Sequence, residues 1–297
     1  MRATALDRRT FLGRALATTA QAIPGLPAHA VPLAQPAPLR NQAKAKIDIH
    51  VHLGRDRQEM GRMSKDTIAP AVRYMIGEMD KYNIQKSMIV AVEPIFPTEI
   101  YLEAAKLEPQ RLMTCCSLIP RPAGPAVDKL RSYRDRGAKA LKLQPMQYDP
   151  KDPAVEAVIY EAVKLGMPVL FHHTDLPRSF VDMLTHLASS FPDGNFVVIH
   201  FGGVYGFWDV LPLARLSNVY LETSTAFPRV VKSPMRNMLH FLIEENRLNQ
   251  LIFGSEHPLD YAGVFSAIDD LVGATVKEDV VKAVYKGNAE KILKLSS

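Results

Sequence analysis

Ile47-Asp48-Ile49-His50-Val51-His52 is the stretch that decides the fold, because it joins an apolar β-rich run to three polar side chains at alternate positions. Residues two apart on a strand point the same way, so Asp48, His50 and His52 are predicted to share one face. Few structural demands place three polar groups inward on a buried strand. The stretch therefore predicts a strand whose carboxyl end carries a site, with two imidazoles near enough to bind one ion.

Seven further apolar runs follow this strand and alternate with longer helical patterns. The predicted strands are residues 46–53, 86–92, 112–119, 139–143, 168–173, 195–201, 219–224 and 251–254. The clearest helical patterns between them are residues 68–82, 126–136, 155–165, 180–191 and 234–246. Near-continuous apolar strands that alternate with helices favour a buried parallel sheet. Eight such units in residues 46–297 favour a single-domain α/β fold, the (β/α)8 TIM barrel, over an open doubly wound sheet.

The amino terminus reads as an export signal. Arg8-Arg9-Thr10-Phe11-Leu12 resembles a twin-arginine motif, and Ala28-His29-Ala30 offers the small residues that a signal peptidase reads. We predict a twin-arginine-type signal peptide over residues 1–30, a linker over residues 31–45 and a periplasmic or exported protein. An amphipathic helix at the start of the domain is the less favoured alternative. The segment is too short and too broken to span a bilayer, so no membrane anchor is expected after its removal.

Charge and composition limit the partners. The chain has 297 residues, 47% hydrophobic and 23% charged, which excludes collagen-like and wholly disordered proteins. Its 36 Lys and Arg against 31 Asp and Glu give +5, but residues 1–30 hold four of the arginines and one aspartate. The remainder carries only +2, so no nucleic-acid partner is expected. No glycine-rich nucleotide motif follows a strand, and a small-molecule substrate is the expected partner.

Most of the histidines lie where predicted strands end. His50 and His52 end the first strand, His172 and His173 the fifth and His200 the sixth, while His257 follows the eighth. In a TIM barrel these carboxyl ends meet at one mouth, where active sites are built. A single histidine at a strand end is more often structural, but this combination favours a metal site. Catalytic zinc takes three protein ligands and leaves one position open.

These residues resemble the metal-dependent, amidohydrolase-related barrels of the aminocarboxymuconate-semialdehyde decarboxylase type. The resemblance spans residues 47–293 and rests on six motifs in order. They are Ile47-Asp48-Ile49-His50-Val51-His52, Gly137-Ala138-Lys139-Ala140-Leu141-Lys142-Leu143, Pro168-Val169-Leu170-Phe171-His172, Val198-Ile199-His200-Phe201-Gly202-Gly203, Phe253-Gly254-Ser255-Glu256-His257-Pro258 and Gly287-Asn288-Ala289-Glu290-Lys291-Ile292-Leu293. The set is typical of the family and not of one reaction.

The resemblance implies a site as well as a fold. His50, His52 and His172 match the histidine ligands of one divalent ion, most often zinc, with manganese as the alternative. His200 matches the histidine that assists catalysis or touches the metal. The eighth strand departs from the family, because Glu256 stands where relatives have Asp. Glu256 is expected to bind the ion or transfer protons, and it is also compatible with a binding protein that has lost turnover.

Other positions receive supporting roles. Asp48 and His173 are expected to hold the ligands in place rather than bind the ion. Lys142, Arg55 and Arg178 are candidate substrate-binding residues, and an arginine at the mouth can grip a carboxylate with two hydrogen bonds. For any single arginine, a solvated surface position is the favoured alternative. A two-metal site with a carbamylated Lys142 is also disfavoured, because Gln144 stands where relatives often have His.

The leading hypothesis for function is a metal-dependent hydrolase that acts on a lactone, ester or amide bond in a small, carboxylated molecule. The alternative is a non-oxidative decarboxylase of the same family, since both reactions need the same residues. A third hypothesis is a catalytically degenerate binding barrel. Many barrels of this type resemble dimers, so a homodimer is compatible with the resemblance.

Overall fold

The computed structural model describes residues 44–144, 151–172, 178–259, 261–272 and 278–295. The predicted signal peptide, most of the predicted linker and His173 lie outside these ranges, and so does the side chain of Arg178. The interpretations made for these residues therefore stay predictions.

Eight parallel strands form one sheet whose order follows the chain from β1 to β8. They are β1 (Lys46–Val51), β2 (Ile84–Val90), β3 (Leu112–Ser117), β4 (Ala138–Leu143), β5 (Val169–Phe171), β6 (Phe196–Val198), β7 (Val219–Glu222) and β8 (Leu251–Ile252). The backbone joins the last strand to the first, because Ile49 N–H donates to Phe253 O at 3.1 Å and His52 N–H donates to His257 O at 2.8 Å. The predicted single-domain (β/α)8 TIM barrel is confirmed.

Helices follow the strands and cover the outside of the sheet. They are α1 (Arg57–Met60), α2 (Ile68–Lys81), α3 (Thr98–Leu107), α4 (Ala123–Asp135), α5 (Pro153–Lys164), α6 (Arg178–Ser190), α7 (Phe207–Val210), α8 (Phe227–Val231), α9 (Arg236–Glu244), α10 (Tyr261–Val272), α11 (Glu278–Lys282) and α12 (Asn288–Leu293). Short 3₁₀ turns at Ile199–Gly202 and Leu211–Arg215 and a π turn at Ala283–Gly287 complete the described part. None of its helices has both the length and the apolar character that crossing a bilayer requires.

An apolar layer fills the barrel interior beneath the mouth. Every strand contributes to a buried cluster of Ile47, Ile49, Met88, Val90, Met113, Cys115, Ala140, Leu170, Val197, Ile199, Tyr220 and Ile252. Helix α12 closes the amino-terminal end of the barrel, because its Ala289, Ile292 and Leu293 pack into the same cluster. The barrel is thus a packed core and not a channel, and polar chemistry is confined to its carboxyl end.

A register shift in β1 corrects the prediction that Asp48, His50 and His52 share one face. The four residues from Asp48 to Val51 on β1 lie opposite only the three residues from Ser87 to Ile89 on β2. Ile47 and Ile49 consequently pack inside the barrel, whereas Val51 packs with the helices. An extra residue of this kind reverses the alternation of side chains. His50 and His52 reach the mouth, and Asp48 is left on the opposite face, against Ser255.

The adjacent cysteines of β3 lie on opposite sides of the sheet, as strand geometry predicts. Cys115 belongs to the cluster inside the barrel, and Cys116 packs beneath the helices. Both thiols are free and buried. Burial raises the pKa of Cys116 to about 12, so its thiol is protonated at neutral pH.

Candidate active site

Four histidine rings form a continuous cluster at the carboxyl end of the barrel. Ring centroids of His50 lie 5.2 Å from those of His52 and His200, and the His172 ring lies 4.8 Å from the His200 ring. The rings of His50, His52 and His200 are buried, and His172 is partly exposed. The structure therefore brings together the four histidines that the sequence placed at the ends of three different strands.

The environment keeps three of these imidazoles neutral. Burial is the main cause that lowers the pKa of His50, His52 and His172 well below the ordinary histidine value. His52 Nδ1 lies 2.8 Å from the carbonyl oxygen of Val90, which can only accept, so Nδ1 carries the proton. The Nε2 lone pair of His52 is thereby left free. Neutral imidazole with its other nitrogen fixed in this way is the form that binds metal ions.

Lys142 on β4 is buried against the cluster. Its Nζ lies 3.3 Å from His50 Nε2, and only 1% of the residue is exposed. Burial lowers the pKa of Lys142 to about 8, although the carboxylates of Glu256 and Glu222 act in the opposite direction. A positive group thus faces the lone pair of His50 at neutral pH. The structure places the predicted substrate-binding lysine in the interior of the cluster, next to His50.

Glu256 follows β8 and joins the cluster through an unusual backbone conformation. Its φ is +57°, in the left-handed region, and its N–H donates to His50 O at 2.7 Å. Its Oε1 lies 3.6 Å from His200 Nε2, and its Oε2 accepts a hydrogen bond from Thr225 Oγ1. The side chain is 18% exposed. The residue that departs from the family pattern therefore lies at the mouth beside the histidines.

Glu222, at the end of β7, is a site residue that the sequence analysis missed. It is fully buried, its Oε2 lies 3.5 Å from His50 Nδ1, and the same Oε2 accepts the backbone N–H of His200, in the turn after β6, at 2.8 Å. Among the described residues, His50, His200 and Glu222 form a group whose ligand atoms all lie within 4.8 Å of one another. The signal was present as Glu222-Thr223-Ser224-Thr225, a polar run that ends an apolar strand in the same way as the histidines do.

Asp48 supports the site from behind. Its Oδ1 accepts the N–H of His50 at 3.0 Å and that of Ser255 at 3.1 Å, and its Oδ2 accepts Ser255 Oγ–H at 2.5 Å. Burial raises the pKa of Asp48 to about 7 against these hydrogen bonds. The carboxyl group ties the strand that carries His50 to the loop that carries Glu256.

The remaining candidates are exposed or have side chains outside the described part. Arg55 is exposed, and its Nε lies 2.9 Å from Glu59 Oε2, which agrees with the alternative of a solvated surface arginine. Arg178 begins α6, and its side chain is outside the described part. His186 and His240 lie on helices, and each ring lies within 3.6 Å of a glutamate carboxylate.

The donor set suits a divalent metal ion. Buried neutral imidazoles and carboxylates are the ligands of zinc, and the hydrogen bond of His52 Nδ1 to Val90 O leaves the His52 Nε2 lone pair available for an ion. A buried polar cluster of this kind has lost its hydrogen bonds to water and needs another partner in their place. The residues present therefore fit the group that the family resemblance implies.

Residues 47–295 match a family model that is described as amidohydrolase. The chain belongs to this amidohydrolase family. A search of curated protein sequences finds no significant match. The family assignment therefore rests on a match over nearly all of the barrel.

Solved structures share the fold of this amidohydrolase at low sequence identity. One, described as a probable 2-pyrone-4,6-dicarboxylic acid hydrolase from Acinetobacter baumannii with citric acid bound, has a TM-score of 0.65 and 18% identity, covering 84% of this chain and 99% of its own. The 5-carboxyvanillate decarboxylase of Sphingomonas paucimobilis has a TM-score of 0.62 and 15% identity, covering 85% and 99%. The 5-carboxyvanillate decarboxylase of Novosphingobium aromaticivorans, complexed with manganese and 4-hydroxy-3-methoxy-5-nitrobenzoic acid, has a TM-score of 0.59 and 15% identity. The match covers 86% of this chain and 97% of that one. Hydrolases and decarboxylases thus both use this fold.

Proposed function

We propose that this amidohydrolase is a metal-dependent hydrolase that cleaves a lactone, ester or amide bond in a small, carboxylated molecule. The observation that carries the proposal is the position of His200 Nε2, 3.6 Å from Glu256 Oε1 and beside the neutral imidazoles of His50 and His172. Two groups able to carry protons therefore meet next to a set of metal donors.

The proposed ion is held by His50, His52, His172 and Glu256. Zinc is the first choice and manganese the second, since imidazole and carboxylate donors suit both. When bound, the ion supplies Lewis acidity that polarises a substrate carbonyl and makes a water molecule acidic near neutral pH. His200 and Glu256 accept the proton of the attacking water and return it to the leaving group.

Lys142 is the proposed anchor for the substrate's negative charge. Its ammonium lies at the floor of the site, where it is shielded from water by the barrel wall. A charge–charge contact is stronger in such an environment than at the surface. A carboxylated substrate is therefore a better fit than a neutral one. Arg55 is left out of this role because its guanidinium is paired with Glu59.

The test begins with metal content and continues with turnover. We expect purified protein to hold about one equivalent of zinc or manganese per chain. His52→Gln is expected to lose it, and His186→Gln, which changes an exposed histidine on α6, is the matched control. The reloaded enzyme is then assayed by alkali uptake on carboxylated lactones, esters and amides, and by carbon dioxide release from hydroxybenzoates and muconates.

Each outcome of this screen assigns the reaction. Alkali uptake without carbon dioxide supports the hydrolase, and carbon dioxide release makes the protein a carboxy-lyase instead. Protein that folds and binds substrates without metal or turnover is a degenerate binding barrel, which contradicts the proposal. Export to the periplasm through the signal peptide and a homodimeric state are separate parts of the proposal. Cell fractionation and light scattering test them.

A further inference from the structure

The carboxylate of Glu222 accepts hydrogen bonds from buried donors within the protein. Its Oε2 accepts the backbone N–H of His200 and the Oγ–H of Ser224, both at 2.8 Å, and its Oε1 accepts the N–H of Ser224 at 2.8 Å. Three of the roughly four lone-pair positions of the carboxylate are thus in use, and an ion bound through these oxygens would compete with buried donors. The closeness of Glu222 to His50 and His200 is therefore weak evidence that Glu222 binds a metal ion.

Ser224 transmits this arrangement to the imidazole of His200. Its Oγ lies 2.8 Å from His200 Nδ1 and 2.8 Å from Glu222 Oε2. A hydroxyl has one proton, and a carboxylate can only accept, so the Ser224 proton goes to Glu222. The Ser224 oxygen must then accept a hydrogen bond from His200 Nδ1–H. His200 Nε2 is then the nitrogen that faces Glu256 at the mouth.

The backbone of His200 needs the same support. His200 and Phe201 have φ of +59° and +55°, a left-handed conformation that is unfavourable for residues other than glycine. The hydrogen bond from His200 N–H to Glu222 stabilises this turn directly. Gly254 lets the carboxylate approach, because a Cβ at that position would overlap Glu222 Oε1.

We infer that Glu222 and Ser224 are positioning residues, which hold the His200 ring with Nδ1–H donated to Ser224 and Nε2 turned towards Glu256, and that Glu222 is not a metal ligand. The catalytic use of Nε2 rests on the proposed function, because it takes His200 as the group that exchanges protons with the substrate. The protonation pattern itself does not depend on which reaction is catalysed. The same arrangement serves hydrolysis or decarboxylation.

The first test removes one buried hydroxyl from each of two neighbouring residues. Ser224→Ala deletes the acceptor of His200 Nδ1–H. Thr223→Val deletes a hydroxyl that contacts only the backbone of Gly254, at 3.2 Å, in the described hydrogen-bond network. Long-range ¹H–¹⁵N spectra of protein labelled at histidine report the protonated nitrogen, and His200→Gln assigns the signal. We expect Nδ1–H in the parent and in Thr223→Val, and a shift towards Nε2–H in Ser224→Ala.

Turnover and metal content complete the test. Ser224→Ala is expected to lower kcat about 10–100-fold, the range typical for partners that orient site residues, with KM changed less than about threefold and metal content unchanged. Glu222→Gln is expected to keep its metal as well. Loss of metal in Glu222→Gln would make Glu222 a ligand and overturn the inference. Parent-like spectra in Ser224→Ala would overturn it too, even if the protein proves not to be a hydrolase.

Discussion

The ends of β7 and β8 each bring a glutamate to the histidine cluster, yet the two carboxylates lie in opposite environments. Glu222 is fully buried and accepts three hydrogen bonds, two from Ser224 just after β7 and one from His200 in the turn after β6. Glu256 is partly exposed, and the hydrogen bond to its carboxylate comes from Thr225. A carboxylate that accepts most of its hydrogen bonds from buried donors holds structure, whereas one that faces the mouth is available for chemistry. Position within the site, and not residue type, separates the two roles.

The largest expected effect is the loss of activity when the exposed carboxylate is neutralised. Glu256→Gln keeps the size of the side chain but removes a proton acceptor beside His200, so kcat/KM should fall about 10²–10⁴-fold. Metal content and turnover of the reloaded enzyme measure the effect. Parent-like turnover in Glu256→Gln would contradict the role of the Glu256 carboxylate in proton transfer.

The free energy of unfolding should respond in the reverse order, with a larger loss for a variant at Glu222 than for one at Glu256. Glu222→Ala leaves His200 N–H, Ser224 N–H and Ser224 Oγ–H without their buried acceptor, and we expect unfolding free energy to fall by about 3 kcal/mol or more. Glu256→Ala removes a group near the mouth and should cost less than about 1 kcal/mol. Urea unfolding of both variants, with metal removed by a chelator, gives the comparison. Equal losses would show that the two carboxylates are held alike.

Stability should also depend on pH through His257, which follows Glu256. Its ring is buried, with centroids 4.5 Å from the Tyr261 ring and 5.9 Å from the Tyr74 ring, and burial lowers its pKa to about 4. Between pH 6.5 and 4 the unfolded chain binds a proton that the folded chain does not. The contribution of His257 to stability is therefore present above pH 6.5 and lost as pH falls.

His257→Phe isolates this contribution from that of the other buried histidines. From pH 7 to pH 5, the native chain should lose about 2 kcal/mol more unfolding free energy than the variant, from the difference between the two pKa values. Urea titrations of both proteins at the two pH values measure the difference. Identical losses would show that this imidazole is protonated in the folded state at pH 5.

The smallest effect is expected for Glu256→Asp, which restores the residue that the family pattern has at this position. The charge is kept and the side chain is one methylene shorter, so we expect kcat/KM to change less than about tenfold, with full metal content. A change as large as that of Glu256→Gln would mean that the left-handed turn at Glu256 is matched to the longer side chain.

Much of this molecule follows from its sequence by local rules. Eight apolar runs alternating with helical patterns determine a parallel barrel, and the strand predictions agree with the structure to within a few residues because burial on both faces leaves a continuous apolar signal. His50, His52, His172 and His200 were found because carboxyl ends of barrel strands meet at one mouth. The same rule applied to the polar run after β7 would have indicated Glu222 and Ser224.

Only the tertiary structure decided the arrangement within the site. The register shift in β1 turns Asp48 away from the face of His50, and nothing in a period-two pattern announces an extra residue. The left-handed backbone at His200 and Glu256 depends on hydrogen bonds to Glu222 and to His50 O, which come from distant parts of the chain. Sequence indicates which strand ends carry the histidines of the mouth, because strand ends follow from local patterns. Their protonation and orientation depend on partners brought together only by closure of the barrel.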